Sequence, residues 1–281
     1  MDDDQRTGAF RSVLCGVDSS PASLVAVRQA REVAADKAAF WALAAWDPGL
    51  AMPAGTAALN VMDQLREEAR TALLRAQDVL PGITPIVIRG PDVAALLAGI
   101  ANLEADLVAV GSHGTSRPAG VVFGSVASAM AHYAPCSVLV AREPRTGGFP
   151  DVIVHANDGS PESLDAAHVA GIVAARHNAT VVTVHVGETH GYSVAEQTVA
   201  LIQRSGREPV VMTEEGSPHR RIVEAANRVN AALIVMGSRG RTGLAALGSV
   251  SERVMHRADS SVLIVRRPAH PVREADDGDA Q

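Results

Sequence analysis

The chain alternates short apolar runs with longer stretches whose apolar residues recur every third or fourth position. The first kind of segment predicts buried strands and the second predicts amphipathic helices. Residues 13–17 form the first apolar run. Ser20-Pro21 follows it, with serine as N-cap and proline at the first helical position. Leu24, Val27, Ala30 and Ala34 continue at helical spacing. The pattern then predicts a strand over 40–46, a charged amphipathic helix over 61–79, a strand over 86–88 and a helix over 93–103. Strands over 107–110 and 138–140 follow, the first leading into a glycine-rich loop and a helix-like segment. The same succession returns at 152–156, 163–175, 180–186, 194–205, 210–213, 220–229, 233–236 and 262–265. Regular alternation of strand and helix predicts an α/β fold, a parallel sheet covered on both faces.

The second half is a copy of the first. Val13-Leu-Cys-Gly-Val-Asp18-Ser-Ser-Pro21 matches Ile153-Val-His-Ala-Asn-Asp158-Gly-Ser-Pro161, with Asp158 lying 140 positions after Asp18. Gly90-Pro91 matches Gly216-Ser-Pro218, and Gly111 matches Gly237, both 126 positions apart. Ser137-Val-Leu-Val140 matches Ser261-Val-Leu-Ile264, now 124 apart. The second copy is therefore shorter by fourteen residues in its middle and by two more after its fourth strand. Repeats of this length are whole domains rather than solenoid units of ~20–50 residues. The expected organisation is one domain over 9–142, a linker over 143–150 containing Gly147-Gly148 and two prolines, and a second domain over 151–267. The polar, acidic stretch 268–281 is expected to be disordered.

The spacing of glycines after the fourth strand of each half brings in chemistry. The first copy is Gly111-Ser-His-Gly114, nine residues, then Gly124-Ser125. The second is Gly237-Ser-Arg-Gly240, seven residues, then Gly248-Ser249. Strand, glycine loop and helix start together form a backbone cradle for phosphate. Glycine permits close approach and unusual dihedral angles, and the helix adds its positive dipole end. The alternative is a strand-to-helix turn that needs flexible residues for its own sake; two matched copies favour the cradle. Lys37 is the only lysine, so neither loop carries a Walker lysine. Phosphate would be held by backbone, serine and Arg117 or Arg241, an arrangement suited to binding rather than to efficient phosphoryl transfer. Asp18 and Asp158 end their first strands on the same sheet edge, where open parallel sheets bind ligands. Each could simply serve the start of the next helix; beside a glycine loop, a contact to a sugar or base is the favoured reading.

Composition narrows the classes. Hydrophobic residues make up 47% and charged residues 20%, as in a soluble globular protein. A net charge of −6 argues against a general nucleic-acid or anionic-membrane surface. An aromatic content of 3% argues against single-stranded nucleic-acid binding by stacking. No apolar run approaches the ~20 residues that span a bilayer. The acidic start Met1-Asp-Asp-Asp4 is unlike a signal peptide, and the two cysteines, Cys15 and Cys136, fit buried inert thiols in a reducing cytoplasm. The histidines show no metal-ligand spacing, and no catalytic constellation is found.

At the glycine loops and first-strand aspartates the chain resembles the universal stress protein family in its tandem two-domain form. That family is marked by G-x2-G-x9-G-[ST] after the fourth strand and an aspartate ending the first. Gly-Val-Asp-Ser-Ser-Pro at 16–21 and Ala-Pro-Cys-Ser-Val-Leu-Val at 134–140 are similar to it too. The resemblance covers about 12–142 and 151–267. It implies two tandem five-stranded parallel-sheet domains, Rossmann-like and similar to adenine nucleotide α hydrolases. It also implies ATP, possibly with Mg, as ligand, with AMP or a cyclic nucleotide as alternatives. The implied role is regulatory, in a stress response, with at most weak ATP hydrolysis; the alternative is an interaction scaffold that binds no nucleotide. Asp18 would contact the adenosine, framed by backbone near Gly16 and Ala45. Gly111, Gly114, Gly124, Ser125 and Val126 would surround the phosphates.

In the second half Asp158, Val186, Gly237, Gly240, Gly248 and Ser249 match in type and order, with Val250 following. Two departures leave its binding open. Its loop is two residues short, worth up to ~7 Å of chain reach, and Ala156 stands where the first half has Gly16. Ser249-Val-Ser-Glu252 also reads as a capping box, which would turn Ser249 toward its own helix. The family pairs subunits through the last strand, here 138–140 and 262–265. A tandem chain can form that pairing internally, or use such an edge for a homodimer or a protein partner.

Overall fold

The computed structural model describes residues 9–114, 123–145, 147–187, 191–239 and 247–266, with backbone alone over 191–195. The first half runs β1 (Ser12–Gly16), α1 (Pro21–Val33), β2 (Ala39–Trp46), a 3-10 segment (Pro48–Ala57), α2 (Ala58–Val79), β3 (Thr84–Arg89), α3 (Asp92–Asn102), β4 (Leu107–Gly111), α4 (Ser125–Tyr133) and β5 (Ser137–Ala141). The second runs β6 (Val152–Asn157), α5 (Pro161–His177), β7 (Thr180–Val186), α6 (Gly191–Gln203), β8 (Val210–Glu214), α7 (Pro218–Arg228), β9 (Leu233–Gly237), α8 (Ser249–Arg257) and β10 (Ser261–Val265). The expected serine caps form. Ser20 Oγ accepts from Ser23 N at 3.3 Å and Ser160 Oγ accepts from Ser163 N at 3.2 Å, each with proline behind it.

The strands make one ten-stranded sheet in the order β3-β2-β1-β4-β5-β10-β9-β6-β7-β8. Within each half every pairing is parallel. The halves meet in the one antiparallel pair, β5 with β10, where Leu139 faces Leu263. The last strands thus pair with each other inside the chain. Each has a neighbour on both sides, and the sheet edges are β3 and β8. Both cores cross this seam. One lies under α1, α2 and α5 and contains Val27, Leu139, Ala170 and Leu263. The other lies under α3, α4, α7 and α8 and contains Leu96, Met130, Ile222 and Met255.

The seam repeats its polar contacts about a pseudo-twofold axis. Arg142 N donates to Ser261 Oγ at 2.9 Å, and Arg266 N donates to Ser137 Oγ at 3.1 Å. The Arg142 guanidinium donates to the carbonyls of Met255 (2.6 Å) and Ser260 (3.2 Å), closing the end of α8. Arg266 donates likewise to the carbonyls of Ala131, in the last turn of α4, and Cys136, just before β5.

One stretch was not predicted as structured. Pro53 and the left-handed Gly55 (φ 56°) break helical periodicity ahead of α2, and residues 48–57 form 3-10 turns instead. The second half has little room for a counterpart, because α6 begins at Gly191, five residues after β7 ends.

Candidate functional site

In the first half the sequence-predicted residues converge. A cavity of about 610 Å³ opens at the carboxyl ends of β1, β2 and β4, the edge at which open parallel sheets bind ligands. Gly16, Asp18 and Ala45 line it from the strand ends, and Gly111 and Gly114 from the glycine loop. Gly124, Ser125 and Val126 line it from the start of α4. Gly124 is the N-cap of α4, and among the described residues no side chain caps the helix. Ser128 N, bonded to Gly124 O at 3.0 Å, is the first amide paired within α4. The amides of residues 125–127 therefore have no carbonyl within their own helix, and they carry its positive end. Arg117 lies outside the described residues.

Asp18 serves the start of α1 and also borders the glycine loop. Its Oδ1 accepts from Ser20 N at 3.0 Å and from Ser20 Oγ, which holds the cap serine of α1 in place. Its Oδ2 faces the glycine loop, so that a Cβ built on Gly114 would come within 2.7 Å of it. Asp158 repeats the first role, its Oδ1 accepting from Ser160 N at 3.0 Å and Ser160 Oγ at 2.6 Å.

The glycines serve approach rather than unusual dihedrals. Gly111, Gly114 and Gly124 all keep φ outside the left-handed region. At Gly111 a Cβ would lie 2.7 Å from the backbone carbon of Ala22, and at Gly237 2.8 Å from that of Glu162. These two glycines let the end of the fourth strand pass against the first turn of α1 or α5. Gly111→Ala and Gly237→Ala are accordingly expected to lower stability by about 1–3 kcal/mol each by overpacking. Urea unfolding without any ligand checks this; unchanged midpoints for both variants would show that the contact relaxes freely.

Sequence reading missed several lining groups. Asp47 and Asp92 stand just beyond β2 and β3, and the strand-end rule that found Asp18 would have found them. Trp46 also lines the cavity, with the Arg66 guanidinium 4.7 Å and the Arg89 guanidinium 5.8 Å from its ring centre. Glu68 of α2, Leu50 of the 3-10 segment and His256 of α8 reach the cavity through tertiary packing, and no local signal marks them. Partial desolvation at the wall, then the negative charges of Asp18 and Asp47, push the Asp92 carboxyl above the ordinary range. The strand-end side of the cavity is thus rich in carboxylates, while the α4 side presents amides. Among the described residues no three His, Cys, Asp or Glu side chains are grouped to hold a metal ion.

The second half keeps the backbone closure and changes its surroundings. Gly248 N donates to Ser238 O at 2.7 Å, as Gly124 N does to Ser112 O at 2.8 Å, so Gly248 is held against the end of its fourth strand as Gly124 is. Gly248 is the N-cap of α8 and Ser249 its first residue, with no side-chain cap bond. The capping-box expectation for Ser249 is therefore corrected: the helix begins one residue earlier than the box requires. Val250 packs partly buried against the core. Gly240 and Arg241 lie outside the described residues. The β6–β7 and β1–β2 registers place Val186 opposite the role of Ala45 and His185 in that of Ala44. His185 Nδ1 donates to Asn157 O at 3.0 Å across these strand ends. Larger side chains thus stand where the first half has alanine and glycine.

Both thiols are buried, and burial pushes Cys15 and Cys136 up to about 12, as expected of inert cysteines. No helix among the described residues is long and apolar enough to cross a membrane.

The model of the universal stress protein family matches residues 9–142 and 151–266. A universal stress protein of Mycolicibacterium smegmatis is 31% identical over 288 residues, covering 90% of this chain and 96% of that protein. One of Mycobacterium tuberculosis is 28% identical over 292 residues, covering 90% and 96%. The crystal structure of a universal stress protein from Archaeoglobus fulgidus superposes with a TM-score of 0.69 at 22% identity, over 91% of this chain and 98% of that one. With each half matched separately and relatives aligned nearly end to end, the chain belongs to the universal stress protein family, as a tandem repeat of its domain.

Proposed function

We propose that the first half binds one adenine nucleotide, ATP in the first instance, and that the protein acts in the cytoplasm as a nucleotide-responsive regulator in a stress response. The observation that carries this is the single cavity that gathers Asp18, Ala45, the glycine loop and the uncapped start of α4. Its polarity orients the ligand. Carboxylates at the strand ends suit the hydroxyl and amine donors of adenosine and repel phosphate, whereas the amides of residues 125–127 attract phosphate. Any Mg²⁺ would enter on the phosphate oxygens. In the second half, His185, Asn157 and Ala156 take up strand-end space and the wall supplied by residues 47–50 has little room for a counterpart. The expected stoichiometry is one nucleotide per chain.

Trp46 reports on the site directly, being one of two tryptophans and lining the cavity. Titration with ATP is expected to change its fluorescence and saturate at one equivalent. Asp18→Ala is expected to weaken binding roughly 10-fold or more, as for loss of a hydrogen bond to a charged group. Saturation at two equivalents would reject the one-site reading. The absence of binding by the wild type, measured by equilibrium dialysis with ATP, AMP and cyclic AMP, would instead support a scaffold that uses the fold without nucleotide.

A further inference from the structure

The first-half cavity is finished by a residue of the second half. His256, near the end of α8, lines it beside Gly124 and Ser128. Its ring lies against Phe123, with centroids 4.5 Å apart and planes tilted by 53°. Phe123 immediately precedes the N-cap of α4, so the imidazole stands at the amide end of the cavity, away from the strand-end carboxylates. Arg142 ties this arrangement to the seam. Its guanidinium lies 5.5 Å from the Phe123 ring centre while it donates to Met255 O, the carbonyl next to His256. His256 is exposed and makes no hydrogen bond or ion pair with other described residues.

The pseudo-twofold axis supplies an internal control. His132 of α4 occupies the position equivalent to His256, 124 residues earlier, and Leu247 occupies that of Phe123. The surroundings differ. His132 Nδ1 donates to Ser128 O at 2.8 Å, and its Nε2 lies 3.6 Å from Glu252 Oε1. The second-half copy of this histidine site therefore meets a carboxylate, and the first-half copy meets an aromatic ring and an open cavity.

We infer that His256 is a contact for the anionic end of the ligand in the first-half cavity, donating an imidazole N–H to phosphate and making that site a joint product of both halves. This rests on the nucleotide reading above. An imidazole in any protonation state has at least one N–H to donate.

The test compares ATP and adenosine binding by the intact chain and its His256→Ala, His256→Gln and His132→Ala variants. His256→Ala is expected to weaken ATP about tenfold and to leave adenosine within about twofold, the size of one lost charge-assisted hydrogen bond. His256→Gln, which keeps a donor, should recover part of the loss, and His132→Ala should bind like wild type. Unchanged ATP affinity in His256→Ala, or an equal loss for adenosine, overturns the contact while leaving the nucleotide site standing. Failure of the wild type to bind either ligand overturns the nucleotide reading and this inference together.

Discussion

Arg142→Ala is expected to destabilise the protein by about 2–6 kcal/mol, and Arg266→Ala by a similar amount, because each strands two carbonyl acceptors at a cost of about 1–3 kcal/mol apiece. Arg142 serves Met255 O and Ser260 O, and Arg266 serves Ala131 O and Cys136 O. Met255 O and Ala131 O lie in the last turns of α8 and α4, where a helix has no further amide to offer them, and Ser260 O and Cys136 O lie just before β10 and β5. Burial lowers the Arg142 guanidinium to about 10, still charged at neutral pH, so the bonds are charge-assisted. Lysine is a poor substitute, since one ammonium cannot reproduce the planar fork that reaches two carbonyls. Urea unfolding of both alanine variants checks the prediction. Midpoints within error of wild type would show that the seam rests on the apolar pairing of β5 with β10 alone. Unfolding in two phases would show that the arginines couple the halves into one cooperative unit.

The second large effect is a loss of stability in mild acid traced to His155. This residue replaces Cys15 at the matching place in the sheet, fully buried, with Nε2–H donating to Ser163 O at 2.9 Å. Its Nδ1 has no hydrogen-bond partner among the described residues. Burial lowers its pKa from 6.5 to about 4. The unfolded chain therefore takes up a proton before the folded chain does. The contribution of this group is complete above about pH 6.5 and is lost as pH falls toward 4, amounting to about 3 kcal/mol at the lower limit. His155→Gln keeps a donor for Ser163 O and removes the titration. The variant is expected to lose about 3 kcal/mol less than wild type between pH 7 and pH 4, whatever constant difference the substitution introduces at pH 7. Parallel pH profiles would refute the assignment. No such group exists at Cys15, so acid is expected to loosen the second half first, which hydrogen exchange at pH 5 would detect.

The elements were legible because their signals are local. Proline behind serine at 20–21 and 160–161 starts helices wherever the chain is otherwise willing. Apolar runs such as Leu107–Gly111 are strands because both sheet faces are covered. The glycine loop and Asp18 were legible as parts of one candidate site because glycine spacings and strand-end aspartates are defined over a few residues. The 3-10 turns of 48–57 escaped because Pro53 and Gly55 erase periodicity without marking what replaces it. Trp46, Glu68 and His256 escaped for a different reason: nothing nearby in the chain distinguishes them from core or surface residues.

The sequence by itself determined the duplication, the order of strands and helices and the first-half glycine spacing, since each is written in periodicity or spacing over a short span. Tertiary structure alone decided what the two halves make together. The apolar last strands had to be paired, and burying them against each other joined two five-stranded sheets into one of ten. That pairing brought the end of α8 against Phe123 and set a histidine from residue 256 at the mouth of a cavity built by residues 16 to 128. Gly111 and Gly237 share one close backbone contact while their surroundings differ. The close approach to α1 or α5 is a backbone matter repeated by the fold, whereas the space beyond the strand ends depends on side chains that have diverged between the copies.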